Sequence, residues 1–231
     1  MTPNIETSAL AAPRRAARAH LAAVRPRRLV PGNWFAIKRA MDVVIAGTAL
    51  VVLSPVIVLA ALGIACVSPG SPFFSQERVG KDGQRFRLYK LRTMVDGAHL
   101  HHDQLHALSE VDGPVFKIRN DPRLHPLGKF LRRTSIDELP NLINVLCGDM
   151  SIVGPRPPLP REVMRYDDFA RRRLTVKPGI TCLWQISGRS NLPFDEWMRL
   201  DNAYIDSWSP LGDLRIVLAT VPAVIRGEGA H

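Results

Sequence analysis

A long stretch without charge constrains this 231-residue chain more than any other feature. No charged side chain occurs from Val43 to Gln76, and within that range VVIAGTALVVLSPVIVLAALGIACV (Val43–Val67) is almost wholly apolar. A straight helix of that length would match the ~30 Å hydrocarbon core of a bilayer. The stretch lies too far from the N-terminus, and has the wrong flanks, for a cleaved signal peptide. The sequence therefore predicts a membrane-embedded helix rather than a helix in a soluble core.

The middle of this stretch favours insertion from one side of the membrane. Ser54-Pro55 divides it into two limbs of nearly equal length, Val43–Leu53 and Val56–Val67, and proline removes a backbone donor from a helix. Each limb would rise about 17–18 Å, which is roughly half of the hydrocarbon thickness. Basic residues flank both ends, and positive charge favours the cytoplasmic side. We expect a re-entrant helix broken at Ser54-Pro55; a kinked single span is the alternative.

Positive charge is concentrated before the apolar stretch. The formal net charge is +10, and residues 1–40 carry eight Lys or Arg against the single acid Glu6, which gives +7 of that total. By charge alone, such a segment suits nucleic acid or anionic lipid equally well. It is rich in Ala and Arg and lacks the aromatic–basic interleaving of nucleic-acid-binding modules. We therefore predict that residues 1–32 form a flexible basic arm that contacts anionic membrane lipids and binds no nucleic acid.

The rest of the chain predicts an α+β fold that is mainly helical. Residues 33–76 would form the membrane segment and its connector, and residues 77–231 a cytoplasmic domain. Two β-prone stretches around Gly80-Lys81-Asp82-Gly83 predict a small β-hairpin. Leu214–Ile225 is too short to span a bilayer and suits an amphipathic helix in the membrane interface. The three cysteines have no CxxC spacing, which excludes a disulfide scaffold and fits a reducing compartment.

An acidic pair opens the next predicted helix. Ser135, with Glu138 three residues later, fits a capping box for a helix that ends at Gly148. The apolar stripe of that helix would comprise Leu139, Leu142, Ile143 and Leu146. Asp137 and Glu138 then have two interpretations. They complement the helix dipole as first-turn acids, or they form a carboxylate pair that holds Mg²⁺ and offers one oxygen as a nucleophile towards phosphorus.

Three arginines outside that helix are candidates for binding anions. Arg156 lies in the rigid turn Gly154-Pro155-Arg156-Pro157, which presents one guanidinium and suits a phosphate or a carboxylate. Arg78 lies on the first strand of the predicted hairpin. Arg189 follows Trp184-Gln185-Ile186-Ser187-Gly188 and is either a phosphate ligand or an ordinary solvated arginine.

These motifs occur together in a fixed order: SPGSPFFSQERVG, KLRTM, FKIRNDPR, LRRTSIDELPNLINVLCGDMSIVGPRP, VKPGITCLWQISGR and LDNAYIDSWSPLGDLRIVLATVPAVIRGEGA. The set resembles the bacterial sugar transferases, the monotopic polyprenyl-phosphate hexose-1-phosphate transferases of exopolysaccharide and O-antigen synthesis. The resemblance covers about residues 35–231 and implies the short-chain form of that family. Members are described with a re-entrant helix broken at a Ser-Pro pair, which Ser54-Pro55 matches.

The resemblance implies a reaction and a role for the acidic pair. A UDP-hexose gives its sugar-1-phosphate to undecaprenyl phosphate, and UMP leaves. Asp137 corresponds to the nucleophile, which forms a sugar-phosphoryl-aspartate and also contacts Mg²⁺. Glu138 would assist at the metal or in proton handling. The two-step route predicts ping-pong kinetics.

The resemblance also implies binding roles outside the acidic pair. Arg156, with its neighbour Pro157, would contact the donor diphosphate or the acceptor phosphate, and Arg132 would hold the lipid phosphate. Asp168 is a weaker candidate for a second acidic role at the metal. One departure is Cys182, which stands where relatives commonly have glycine.

Partners and location follow from the same resemblance. It implies the cytoplasmic face of the bacterial inner membrane, with UDP-hexose, undecaprenyl phosphate and anionic lipids as partners, and glycosyltransferases acting downstream. A homodimer is one candidate assembly. A catalytically inactive scaffold of a polysaccharide assembly complex is the alternative, and it would have lost Asp137, Glu138 or Arg156. No residue distinguishes glucose from galactose.

Overall fold

The computed structural model describes residues 33–98, 113–116, 118, 120–189 and 192–227, so the arm predicted for residues 1–32 lies outside the described residues. The helices are α1 (Asn33–Val67), α2 (Gly128–Thr134), α3 (Asn141–Cys147), α4 (Pro160–Val163), α5 (Asp168–Arg171), α6 (Leu183–Ile186), α7 (Phe194–Ser207) and α8 (Pro210–Arg226). The strands are β1 (Phe73–Val79), β2 (Arg85–Leu91), β3 (Ser151–Val153) and β4 (Gly179–Thr181). Short 3₁₀ turns occupy Lys81–Gly83, Ile136–Glu138 and Arg172–Thr175. The predicted class, mainly helical with a small amount of sheet, is confirmed.

Helix α1 includes Ser54-Pro55, and the change of helix direction expected there stays a prediction. Helical backbone runs through Pro55 from Asn33 to Val67. Proline has no N–H, so the carbonyl of Val51 loses its usual partner four residues later. The hydroxyl of Ser54 donates to that carbonyl at 2.8 Å and replaces the missing bond. By length and composition, α1 is long and apolar enough to cross a membrane.

The N-terminal half of α1 is attached to the rest of the protein by buried polar contacts. Lys38 Nζ lies 2.6 Å from a carboxylate oxygen of Asp213 in α8. Asp42 accepts hydrogen bonds from Ser151 Oγ at 2.9 Å and from Ile152 N at 3.0 Å, both in β3. Ala46, one turn further on, is fully buried in a cluster that includes residues of α3, β3 and α8.

The C-terminal half of α1 packs on the same body. Ile64 is fully buried against Leu91 of β2 and Leu131 of α2. Directly after the helix, the guanidinium of Arg92 donates to the carbonyls of Ser68 at 2.9 Å and Pro69 at 2.6 Å. Both halves of α1 are therefore held by one globular unit.

The predicted β-hairpin is confirmed. Strands β1 and β2 pair antiparallel from Phe73 opposite Leu91 to Val79 opposite Arg85, across the 3₁₀ turn Lys81–Gly83. The fully buried side chain of Asn144 in α3 docks on β2, because it accepts from Tyr89 N at 3.1 Å and donates to the carbonyl of Arg87 at 2.7 Å.

A second sheet, which the sequence did not indicate, consists of β3 and β4 in parallel, with Ser151 opposite Gly179 and Val153 opposite Thr181. The backbones approach so closely that a Cβ on Gly179 would lie 2.1 Å from the nitrogen of Gly154. Glycine is therefore required at position 179 of β4, which lies against the point where β3 passes into the turn that carries Arg156.

The predicted capping box at Ser135 is wrong. Ser135 has a φ of +56° and makes no side-chain cap, and α3 begins only at Asn141. The predicted apolar stripe is wrong in part, because Ile143 is exposed while Asn144 and Val145 are buried. The helix ends at Gly148, as predicted, with a φ of +92°. The capping-box pattern predicted the wrong start for this helix, because the chain first forms the separate turn Ile136–Glu138.

Helix α8 extends beyond the predicted Leu214–Ile225 on both sides. It buries Asp213 and Ile216 against the globular unit. Its exposed face is apolar and repeats at helical spacing: Leu211, Leu214, Leu218, Val221 and Ile225. The amphipathic helix is thus confirmed, with its apolar side directed away from the protein.

Candidate active site

The acidic pair lies in a sharply turned segment between α2 and α3. The left-handed backbone at Ser135 reverses the chain after α2, and its N–H closes that helix on the carbonyl of Arg132 at 3.1 Å. The next turn presents Asp137 and Glu138 to a pocket of about 410 Å³. Asp137 is buried at 7% exposure, and Glu138 is half-buried.

The electrostatics of the pair are set by burial and by one lysine. Lys90 Nζ in β2 lies 2.6 Å from Glu138 Oε1. Burial raises the pKa of Asp137 to about 6, whereas the positive charge of Lys90 lowers it and the negative charge of Glu138 raises it. Asp137 is therefore an anion at neutral pH, although neutral pH is only slightly above its pKa.

The turn that carries Arg156 is fixed at three of its carbonyls. Gly179 N donates to the carbonyl of Pro155 at 2.9 Å, Arg173 donates to that of Arg156 at 2.9 Å, and Arg78 donates to that of Pro157 at 3.1 Å. The guanidinium of Arg156 is half-buried and lines the pocket. Pro157 is buried and does not line it, so its place is in the scaffold of the turn.

Arg78 both supports the turn and lines the pocket. Burial lowers the pKa of Arg78 to about 9, and the nearby positive charge of Arg156 contributes in the same direction. Its Nε has no hydrogen-bond partner among the residues that the structure describes. A buried guanidinium of this kind is stabilised by an anion.

Arg132 and Arg189 also line the pocket, as the sequence predicts. Arg132 donates from Nε to Thr93 Oγ1 at 3.1 Å, and burial lowers its pKa. Arg189 is buried at 9% exposure with a φ of +51°, and burial lowers its pKa as well. Its side chain makes no hydrogen bond or ion pair within the described ranges. The solvated-surface alternative for Arg189 is therefore wrong.

The prediction for Asp168 is wrong. It is exposed in the first turn of α5 and does not line the pocket. Glu162 of α4 lines it instead, buried at 4% exposure, with Oε2 accepting from Leu159 N at 2.9 Å. The two acids lie close together in the sequence, but only α4 faces the pocket.

The acidic pair fits a magnesium ion. Mg²⁺ is commonly held by one or two carboxylates, with substrate phosphates and water as its other ligands. Asp137 and Glu138 supply such carboxylates at the pocket wall. Among the described residues, no group of three or more His, Cys, Asp or Glu could supply a complete protein cage. The donor set thus suits an ion that is bound together with a phosphorylated substrate.

Two pocket residues were missed by sequence reasoning. Lys90 had a usable signal, because it shares the inward side of β2 with Phe86 and Leu88, where a lysine requires a partner. Glu162 had a weaker one, the acidic residue in the first turn of a helix that begins with Pro160.

These features define a class of protein. A small, mainly helical unit carries a long apolar helix. Its pocket combines carboxylates, among them Asp137, Glu138 and Glu162, with several arginines, as suits an enzyme of phosphorylated substrates. The family model for bacterial sugar transferases matches residues 33–227, and the chain belongs to that family.

Three curated relatives show how much of each protein is shared. The galactosyl transferase CpsE of Streptococcus agalactiae is 50% identical over 163 residues, which is 70% of this chain and 36% of the relative. The exopolysaccharide production protein ExoY of Sinorhizobium fredii is 39% identical, with 84% of this chain and 88% of the relative covered. A UDP-glucose:undecaprenyl-phosphate glucose-1-phosphate transferase of Caulobacter vibrioides is 38% identical, with 84% and 72% covered. The chain thus spans about a third of the streptococcal protein and most of the rhizobial one.

Proposed function

We propose that this protein transfers a hexose-1-phosphate from a UDP-sugar to undecaprenyl phosphate, with release of UMP, at the cytoplasmic face of the bacterial inner membrane. The observation that carries the proposal is the pair of the buried Asp137 and the half-buried Glu138 in a pocket lined by arginines. The names of relatives, among them the Caulobacter enzyme, support the same donor and acceptor. The product would be the substrate of glycosyltransferases that extend the repeat unit.

The first chemical step assigns Asp137 as the nucleophile. A carboxylate oxygen of Asp137 forms a bond to the phosphorus that carries the sugar, and the bond from that phosphorus to the bridging oxygen breaks. UMP leaves with the bonding electron pair, and the sugar-1-phosphate stays on Asp137 as an acyl phosphate. In the second step an oxygen of undecaprenyl phosphate attacks the same phosphorus, and the carboxylate of Asp137 is released.

The surrounding side chains supply the counter-charge that three anionic groups require. Arg156 and Arg78 would bind the donor diphosphate, because Arg156 lies in a turn that is fixed on the scaffold and Arg78 of β1 donates to that turn. Arg132, which lines the same pocket, would bind the phosphate of the lipid. Magnesium held by Asp137 and Glu138, when bound, would neutralise charge on the transferred phosphoryl group.

Helix α1 supports insertion from one side of the membrane. Ala46 and Ile64 are separated along α1 by a helical rise of about 27 Å, and both are buried against the same globular unit. A straight span would separate such residues by nearly the full hydrocarbon thickness. Apolar side chains between them are exposed, including Val51 at 74% and Leu59 at 69%. A re-entrant α1 would insert this face and hold the pocket near the lipid headgroups.

The test measures UMP released by protein in nanodiscs with Mg²⁺, undecaprenyl phosphate and a panel of UDP-hexoses. Wild type is compared with Asp137→Asn and with Asp168→Asn, an exposed aspartate away from the pocket. We expect release from one or more UDP-hexoses, loss of at least about 1,000-fold in Asp137→Asn, and wild-type rates in Asp168→Asn.

Each other outcome has a definite meaning. Release that survives Asp137→Asn would contradict the covalent route and favour direct attack by the lipid phosphate. No release from any UDP-hexose by folded protein would contradict the transferase proposal and support the scaffold alternative.

A further inference from the structure

The pocket has an apolar end as well as a charged one. Val115, Cys182 and Trp184 belong to a single buried cluster, and Val115, Phe116 and Trp184 line the pocket. Helix α6, which carries Trp184, packs on α7 and α8, whereas the acidic pair packs beside β2. The apolar end is therefore formed around Val115, Phe116 and α6, whereas the acidic pair lies beside β2.

An aromatic ring at this end lies against a guanidinium. Phe116 is half-buried, and the guanidinium of Arg123 lies 5.4 Å from the centre of its ring. Arg123 is itself fixed by Asp121, through bonds of 2.9 Å from Nε and 2.6 Å from Nη2. Aromatic side chains of this kind are platforms on which nucleobases stack.

At this end, a hydrogen bond from Cys182 indicates which way the amide group of Gln185 is turned. Cys182 Sγ lies 3.1 Å from Gln185 Oε1 and is buried at 2% exposure. Burial raises the pKa of the Cys182 thiol well above its ordinary value, so the thiol keeps its proton and donates. The amide oxygen of Gln185 is thereby occupied. Its Nε2 makes no hydrogen bond within the described residues, although Gln185 lines the pocket.

We propose that the apolar end between Phe116 and Gln185 is the subsite for the pyrimidine base of the nucleotide-sugar, and that Cys182 is a positioning residue that turns Gln185 Nε2 towards a carbonyl oxygen of the base. The proposal rests on the proposed function, which supplies a uridine nucleotide as donor. A flat ring with carbonyl acceptors matches an aromatic platform beside an amide donor. Glycine at position 182 would bring no donor to Gln185, so this arrangement depends on the cysteine of this chain.

The test measures the dissociation constants of UMP, CMP and inorganic pyrophosphate by calorimetry, with the full chain in nanodiscs and Mg²⁺ present. We expect Gln185→Ala to weaken UMP binding about five- to tenfold and to leave pyrophosphate, which has no base, unchanged. Gln185→Glu keeps the size of the side chain and replaces the donor by an acceptor, so it should lose the same affinity. With UDP-hexose as substrate, KM should rise and kcat should stay near the wild-type value.

The role of Cys182 is tested by a matched pair of variants. Cys182→Ser keeps a donor and should bind UMP within about twofold of wild type, whereas Cys182→Ala should weaken it about threefold. If Gln185 meets the 4-carbonyl of uracil, Gln185→Ala also reduces the preference for UMP over CMP; if it meets the 2-carbonyl, both nucleotides weaken equally. Either pattern supports the subsite.

Two results would overturn the inference in different ways. The subsite would be contradicted if UMP binding were unchanged in Gln185→Ala and Gln185→Glu, or equal in Cys182→Ser and Cys182→Ala. In that case, UMP release by the wild type would still support the proposed function. A folded wild type that binds no UMP, and releases none from any UDP-hexose, would contradict both the subsite and the proposed function.

Discussion

At the scale of single residues, the proposed role of Asp137 as nucleophile depends on the charge of Lys90. Asp137 must be an anion to attack phosphorus, so kcat/KM should fall as the pH drops through the pKa of about 6 that burial imposes. The positive charge of Lys90 lowers this pKa. Lys90→Met should therefore move the acidic limb of the kcat/KM profile to higher pH, by about one unit. The measurement is UMP release across the acidic and neutral pH range at saturating Mg²⁺.

A control separates this electrostatic effect from general damage. Lys90→Arg keeps the charge in the same strand and should leave the acidic limb near its original position. A limb that stays in place in Lys90→Met would show that the lysine does not act on the ionisation of Asp137.

Local sequence patterns predicted several residues that line the pocket but not the side chains that support them. Asp137, Arg132 and Arg156 were predicted from short motifs, since each motif carries its chemistry in adjacent positions. Lys90 and Glu162 come from β2 and α4, which the fold brings to the same pocket. Their relation to Asp137 is a contact between distant segments, which spacing along the chain does not encode.

At the scale of elements, Ser54 makes helix α1 continuous across its proline. Its hydroxyl is the donor to the Val51 carbonyl that Pro55 cannot serve. Ser54→Ala should leave that carbonyl without a partner in an apolar environment and lower the free energy of unfolding by about 1–3 kcal/mol. Ser54→Thr keeps the hydroxyl and is the matched control. Thermal unfolding in nanodiscs measures both, and equal midpoints for Ala and Thr would refute the role of the hydroxyl.

The close approach of β3 and β4 is a second element-scale constraint. A Cβ at Gly179 would meet the backbone of Gly154, and backbone cannot move aside as a flexible side chain can. Gly179→Ala should therefore lower stability by about 1–3 kcal/mol and reduce UMP release, because the displaced strand carries the Arg156 turn. Gly47→Ala in α1, where a Cβ would meet nothing within 4 Å, is the control. Thermal unfolding and UMP release are measured on both, and a stable, fully active Gly179→Ala would contradict the argument.

The hairpin and α8 were predicted because each has a clear pattern in its own sequence. Strands β3 and β4 were not predicted, because they depend on pairing between distant segments. The hairpin has two long strands around a glycine-rich turn, and α8 has a repeating apolar face. Strands β3 and β4 are much shorter and pair in parallel although the whole segment 154–178 separates them in the sequence. Such short strands have no periodicity of their own, so only the assembled fold defines them.

At the scale of the whole molecule, the exposed apolar surface and the buried contacts of α1 both favour insertion into a membrane from one side. Exposed apolar side chains lie along α1 and along one face of α8, and the two helices contact each other. Both halves of α1 are fastened to the globular unit by buried contacts. A membrane that covers this surface would meet the protein from one side, with the pocket remaining accessible to a water-soluble nucleotide-sugar.

This arrangement predicts that the segments before and after α1 lie on the same side of the membrane. In a background with Cys66, Cys147 and Cys182 replaced by serine, Ser8→Cys and Gln84→Cys would be labelled one at a time with an impermeant maleimide. A re-entrant helix predicts that both react in inside-out vesicles and that neither reacts in intact spheroplasts, while both react after detergent is added. A single span would instead place position 8 outside, because Gln84 lies in the exposed turn of the hairpin beside the globular unit. Labelling of Ser8→Cys in intact spheroplasts would therefore exclude the re-entrant arrangement while leaving the chemistry of Asp137 untouched.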